Sequence, residues 1–309
     1  MDLKQSQNQG DEVLQGVGLT ALIVAQARAV ESKRPDSLFI DPFAEDFVAR
    51  AGEAFLQASA EFVPILALRG NGRYFALRTR FFDDFVVDVC RAGCQQVILL
   101  GAGLDTRAFR LALPDGVTLF ELDLPHVLAF KEEVLSARAV APICQRLVVP
   151  VDLRWDWAKA LVAAGFEASK PTTWVLEGIL MYLTEAERDH FLDEIGRLSA
   201  WGSRLALEQR GVAASEPQAA PTKPTDSASA DQARQAMENA ESTVVRFGVT
   251  TSSERPDFSM VDPAAWVARH GWQAQVYGAA ERFAFYGRPV PPALAAGAVQ
   301  LWLVSAERP

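Results

Sequence analysis

The chain has 309 residues, half of them hydrophobic, and a formal net charge of -9 with a pI of about 5.0. That is enough apolar sequence for one elaborated domain with a large core. The acidity argues against a nucleic-acid partner, whose phosphates need a basic surface, and gives no support to membrane-surface attraction.

The first residues, "MDLKQSQNQGDEVLQG", lack the basic start and apolar centre of a signal peptide. The apolar stretch "VGLTALIVA" that follows is about half of what a bilayer requires. A soluble cytoplasmic protein is the expectation. Residues 19–31 place Leu19, Leu22, Ile23 and Val30 on one helical face. "RPDSLFIDPFAEDFV" then reads as a proline-marked turn and a short helix. Residues 74–91 predict a strongly amphipathic helix, with Tyr74, Phe81, Phe82, Phe85 and Val89 on the apolar face. Arg80, Asp83, Asp84, Asp88 and Arg91 form its polar face. Arg78 breaks the pattern: it falls on the apolar face, where a charge demands a partner.

From residue 95 strands and helices alternate. Strand-like runs occupy 96–101, 117–123, 146–152, 173–178 and 203–209, with a helix predicted over 185–200. Their near-continuous apolar character suits a parallel sheet covered on both faces. Residues 212–233 are rich in Ala, Pro and Ser and read as a flexible connection. Ala233, Ala236, Met237, Ala240, Val244 and Phe247 mark a further amphipathic helix, and 272–278 and 298–306 complete seven strands. Cys90, Cys94 and Cys144 form no CxxC pair and read as reduced, buried thiols. His126, His190 and His270 are dispersed, without zinc-ligand spacing.

In an open parallel sheet, ligands sit at the carboxyl ends of the strands, near the point where strand order reverses. Gly101 and Gly103 in "VILLGAGLDTRAF" lie at such an end. The dinucleotide fingerprint asks for a third glycine, and here Thr106 stands in its place. Asp105 would also repel a pyrophosphate, or serve as a helix cap. A nicotinamide-dependent oxidoreductase is therefore the weaker alternative. Acids follow at the ends of the next strands: Asp123, with Glu121 two residues before it on the same face, then Asp152, then Glu177. A rim of carboxylates fits a ligand rich in hydroxyl and amine donors and lacking phosphate. S-adenosylmethionine is such a ligand, and Arg78 is a cation available for its one carboxylate.

The segments "VILLGAGLDTRAFRL", "FELDLPHVLAFK", "VPVDLRWDWAKAL" and "WVLEGILMYLTEAE" resemble the leucine carboxyl methyltransferase family, in particular its bacterial branch of S-adenosylmethionine-dependent methyltransferases. "ARAVES" and "YFALRTRFFDDFV" agree with that branch as well, and the likeness is strong over residues 18–210. The resemblance implies an α/β fold of the Rossmann-like class I methyltransferase type. That fold has a seven-stranded, mostly parallel sheet with the last strand antiparallel, helices on both faces and a helical cap. It divides the chain into an N-terminal helical segment (1–94), a cofactor-binding core (95–210), an insertion with a cap helix (211–260) and C-terminal strands (261–309).

By the same resemblance, Arg78 holds the methionine carboxylate, Gly101, Ala102 and Gly103 form the turn beside the cofactor, and Asp123 with Leu124 binds the ribose. Asp152 and Leu153 lie at the adenine, and Glu177 lies near the methionine ammonium. Arg28 falls at a basic residue near the active site, and Tyr182 is placed to orient the acceptor. A small-molecule carboxylate is the expected acceptor: it is ionised at neutral pH and needs no general base, whereas a phenol or alcohol needs one. A phenol or hydroxyl acceptor is the alternative within the same chemistry. The phosphatase C-terminus methylated by eukaryotic relatives does not carry over, because residues 212–233 fall where substrate specificity is expected.

Overall fold

The computed structural model describes residues 17–60, 73–211, 262–295 and 300–309. The expected connection at 212–233 and the helix marked by Ala233 to Phe247 lie outside the described residues, as does nearly all of the 211–260 segment.

The first three helices are α1 (Val17–Ser32), α2 (Ala44–Ala60, bent at Gly52) and α3 (Arg73–Arg91). The alternating part follows: β1 (Gln96–Leu100), α4 (Arg107–Arg110), β2 (Thr118–Asp123), α5 (Pro125–Ala137), β3 (Gln145–Pro150), α6 (Trp157–Ala163), β4 (Thr172–Leu176), a single 3-10 turn (Leu180–Tyr182), α7 (Glu185–Arg197) and β5 (Arg204–Gly211). The chain closes with α8 (Pro263–Arg269), β6 (Gln273–Gly278), α9 (Ala279–Phe285), α10 (Pro292–Ala295) and β7 (Gln300–Glu307).

All seven expected strands form, in the sheet order β3-β2-β1-β4-β5-β7-β6. The first five run parallel, and β7 is antiparallel to both β5 and β6. Strand order reverses between β1 and β4, so the carboxyl ends of these two strands and of β2 frame one crevice. The strands are apolar because both faces are covered. In β1, Val97 and Leu99 pack with α1, α3 and α5, while Ile98 and Leu100 pack with α6, α7 and α8.

The helix faces differ from expectation at several points. Val30 is 59% exposed, while α1 buries Leu19, Leu22, Ile23 and Ala25. On α3, Val86 and Cys90 are buried, while Phe85 and Val89 are only partly covered. Asp83, expected on the polar face, is also buried, because two arginines of α4 neutralise it. The helix expected after "IDP" is α2 and runs longer than a short helix. Cys90 and Cys94 are buried free thiols, with Cys90 pushed by burial to a pKa of about 12, but Cys144 is only half-buried. Among the described residues no helix is long and apolar enough to cross a membrane.

Candidate cofactor site

β1 ends directly in the glycine turn. Gly101 and Gly103 both take positive φ (71° and 47°), which costs an L side chain energy and glycine little. The amides of Gly101 and Ala102 both donate to the Leu122 carbonyl of β2, so the turn is tied to the neighbouring strand. A Cβ on Gly101 would stand 3.3 Å from the Ile179 side chain, and one on Gly103 would stand 3.4 Å from Ala21 of α1. The loop is therefore closed in by β4's exit on one side and by α1 on the other.

Asp123 is the last residue of β2. One carboxylate oxygen accepts from the Gly103 amide and the other from the Leu124 amide, both at 2.6 Å. Burial raises its pKa above the ordinary carboxylate value, and the two backbone donors offset this only in part. Glu121, expected beside it at the rim, sits too far back along the strand. It is fully buried under α5 and pairs with Lys131 and Arg146. Asp152 lies two residues beyond the end of β3 rather than within it, and Arg154 clamps its carboxylate. That hydrogen bond holds its pKa below the ordinary value. Leu153, next to it, packs against the core between the sheet and α6, α7 and α8.

The buried charge of Arg78 finds its partners in Glu177 and Glu208, as part of a longer chain of charges. Its Nε donates to Glu177 at 2.9 Å and its Nη1 to Glu208 of β5 at 2.7 Å, while its guanidinium lies 5.1 Å from the Phe75 ring. The second oxygen of Glu208 accepts from the Tyr74 hydroxyl at 2.7 Å. The second oxygen of Glu177 meets Arg107 Nη1 at 2.8 Å. Arg107 also pairs with Asp105 and with Asp83, and Asp83 in turn takes both terminal nitrogens of Arg110. Arg110 reaches Thr106, whose hydroxyl donates to Asp41. Asp41 pairs with Arg28, which closes the circuit by donating to the Leu104 carbonyl of the glycine loop at 2.6 Å. Four guanidiniums thus face five carboxylates around the mouth of β1 and β4.

Burial alone would push Glu177 up, but Arg107 and Arg78 overcome it and hold its pKa below the ordinary value. Asp105 follows the same pattern: burial is the largest influence and raises it, but Arg107, Lys131 and Arg110 together hold its pKa below the ordinary value. For Arg78, burial works against the charge, and Glu208 and Glu177 more than restore it. Asp105 does accept the Arg107 amide, yet the residue at the helix cap is Thr106, and the acid is occupied by the Arg107 side chain. Gly178 follows Glu177 with φ 75°, and a Cβ there would stand 3.2 Å from Arg78 Nη1. The guanidinium lies against bare backbone. Tyr182 ends the 3-10 turn after Glu177, and its hydroxyl meets that of Thr20 at 3.0 Å. The Thr184–Glu187 capping box then starts α7 and fixes the exit of the turn. The histidines stand apart from this circuit: His190 is exposed and His270 pairs with Asp189 and Asp193. His126 lies in the first turn of α5, close enough to Asp123 to lower its pKa slightly.

The donor set fits S-adenosylmethionine. Among the described residues, Arg78 Nη2 makes no hydrogen bond, which leaves one cationic donor for a carboxylate. Glu177 and Asp123 suit an ammonium and a ribose diol. The turn between them has no side chain at Gly101 or Gly103.

Comparison with known proteins decides the family. The model of the leucine carboxyl methyltransferase family matches residues 21–196, more than half of the chain. A protein of Mycobacterium avium (strain 104), provisionally named an S-adenosyl-L-methionine-dependent methyltransferase, is 38% identical over 296 residues, covering 91% of each chain. A similarly named protein of Streptomyces coelicolor is 41% identical over 282 residues, covering 89% of each.

The chain belongs to the leucine carboxyl methyltransferase family. It is an S-adenosylmethionine-dependent methyltransferase.

Solved structures agree on the fold. A DUF574 family protein of Streptomyces avermitilis aligns with a TM-score of 0.55 at 13% identity, over 92% of this chain and 97% of that one. A provisionally named methyltransferase of Thermobifida fusca aligns with a TM-score of 0.52 at 17% identity, over 91% and 94%. The sequence singled out Arg78 on α3 and Asp123, Asp152 and Glu177 at strand ends, and of these the structure joins Arg78 to Glu177. The sequence did not single out Asp41, Asp83, Arg107, Arg110 and Glu208, polar groups on a turn, helices and a strand of which Asp41, Asp83 and Arg107 are buried and Arg110 and Glu208 half-buried.

Proposed function

We propose that this methyltransferase forms a methyl ester on a small-molecule carboxylate, an acid of secondary or polyketide metabolism. Arg78 would hold the methionine carboxylate through Nη2, and Glu177 the ammonium. Gly101, Ala102 and Gly103 would admit the cofactor against bare backbone. Asp123 and Leu124 would hold the ribose, and Asp152 and Leu153 would flank the adenine. Arg28, through the Leu104 carbonyl, fixes the loop's shape, and Tyr182 orients the acceptor.

When bound, the cofactor supplies a sulfonium-activated methyl group open to in-line displacement. The protein's share is to align the acceptor oxygen and exclude water. The observation that carries the carboxylate reading is the state of Glu177. Arg107 and Arg78 occupy both of its oxygens and lower its pKa, so it is a poor proton acceptor. An acceptor already ionised at neutral pH needs none. The name of the family points the same way.

Incubation with methyl-labelled cofactor and a panel of carboxylic and phenolic acceptors tests this. The expected product releases labelled methanol in mild base. A base-stable label, diagnostic of an ether, would replace the carboxylate with a hydroxyl acceptor.

A further inference from the structure

The arrangement around Arg78 contains a device that the motifs do not reveal. An arginine and a carboxylate prefer to pair as a fork, with two parallel hydrogen bonds. Arg78 has two carboxylates within reach, and neither forms a fork with it. A side-on fork with Glu177 would use Nε and Nη2, but the second Glu177 oxygen is held by Arg107 at 2.8 Å. An end-on fork with Glu208 would use Nη1 and Nη2, but the second Glu208 oxygen is held by the Tyr74 hydroxyl at 2.7 Å. Each acid therefore takes one nitrogen of Arg78, and both leave Nη2. Phe75 beneath the guanidinium and the missing side chain at Gly178 fix its plane.

We infer that Glu208 and Tyr74 form a positioning pair that keeps Arg78 Nη2 aimed at the carboxylate of the cofactor. This rests on the reading of Arg78 given above. Glu208 draws Nη1 away from Glu177, and Tyr74 keeps Glu208 from closing on Nη2. Without Tyr74, Glu208 is free to fork onto Arg78 and take the donor the cofactor needs. Without Glu208, the guanidinium loses the contact that sets its rotation. In both cases the cofactor's amino-acid end loses its partner and its nucleoside end keeps its own.

The test compares calorimetric binding of S-adenosylmethionine with that of 5′-methylthioadenosine, which shares the nucleoside and lacks the amino-acid portion, on the purified full chain. Glu208→Ala is expected to weaken S-adenosylmethionine by about tenfold or more and to leave 5′-methylthioadenosine within about twofold. Tyr74→Phe, which removes one hydroxyl from an otherwise unchanged ring, is expected to shift the same ratio in the same direction. Glu208→Gln, whose amide oxygen still accepts from Arg78 Nη1 while its NH2 donates to the Tyr74 hydroxyl oxygen, is expected to recover part of the loss. Equal weakening of both ligands in Glu208→Ala and Tyr74→Phe would reduce the pair to a structural role, and no weakening of either would remove it from the site. Arg78→Met separates the two layers of the argument. Undiminished S-adenosylmethionine binding in that variant overturns the reading of Arg78 itself. A selective loss there without one in Glu208→Ala or Tyr74→Phe overturns the positioning pair alone.

Discussion

Asp123 and Glu177 end neighbouring segments of the crevice, yet their surroundings push them in opposite directions. Burial raises Asp123, while the arginines hold Glu177 down. If ribose hydroxyls donate to Asp123, the bound state favours the ionised acid. Lowering the pH then protonates Asp123 first, and cofactor affinity falls as pH drops through its raised pKa, above the ordinary value near 4. Glu177 stays charged through that window, so it does not contribute to the loss there. A calorimetric pH series is expected to show affinity declining at a pH where free carboxylates are still ionised. Asp123→Asn should give a weak and flat profile, and an unchanged slope in that variant would remove Asp123 from the ribose role. This contrast was not legible in the sequence, where both residues read alike as strand-end acids. What separates them is the hydrogen-bonding partner: the guanidiniums of Arg107 and Arg78 for Glu177, and neutral backbone amides for Asp123.

At the scale of elements, the strands were the legible part. A strand buried on both faces has to be apolar along its length, and the runs ending at Gly101, Asp123 and Glu177 show it directly. The helices were less legible, because an ion pair can bury a charge that amphipathic patterning assigns to solvent. Asp83 is the case in point, being covered because Arg107 and Arg110 come to it from α4. Glu208 was missed for a related reason. It reads as one polar position in a strand, and its partner Arg78 lies 130 residues away. The glycine turn makes a test possible at this scale. Gly101→Ala places a side chain at φ 71° and 3.3 Å from Ile179, whereas Gly202→Ala meets comparable φ (77°) in open space just before the amino end of β5, away from the carboxyl ends that frame the crevice. Each is expected to lower stability by about 1–2 kcal/mol in urea unfolding, from left-handed strain. Only Gly101→Ala should also weaken S-adenosylmethionine, and equal affinity in the two variants would detach the turn from the cofactor.

At the scale of the whole molecule, α1 crosses from one side of the crevice to the other. It touches the glycine loop through Ala21 and Arg28 and the turn after Glu177 through Thr20. The helical segment thus meets the sheet at the site. The circuit of four guanidiniums and five carboxylates has one acid in excess, and Asp123 is a further acid at the crevice outside it. S-adenosylmethionine, with a sulfonium, an ammonium and a carboxylate, carries one net positive charge. S-adenosylhomocysteine has lost the sulfonium charge and is neutral overall. The surplus acid therefore attracts the methyl donor and gives no such attraction to the spent product, which eases turnover against product inhibition. Added salt screens this preference. The ratio of the two dissociation constants is expected to move toward the product as ionic strength rises, and a ratio insensitive to salt would show that the charge imbalance has no part in product release.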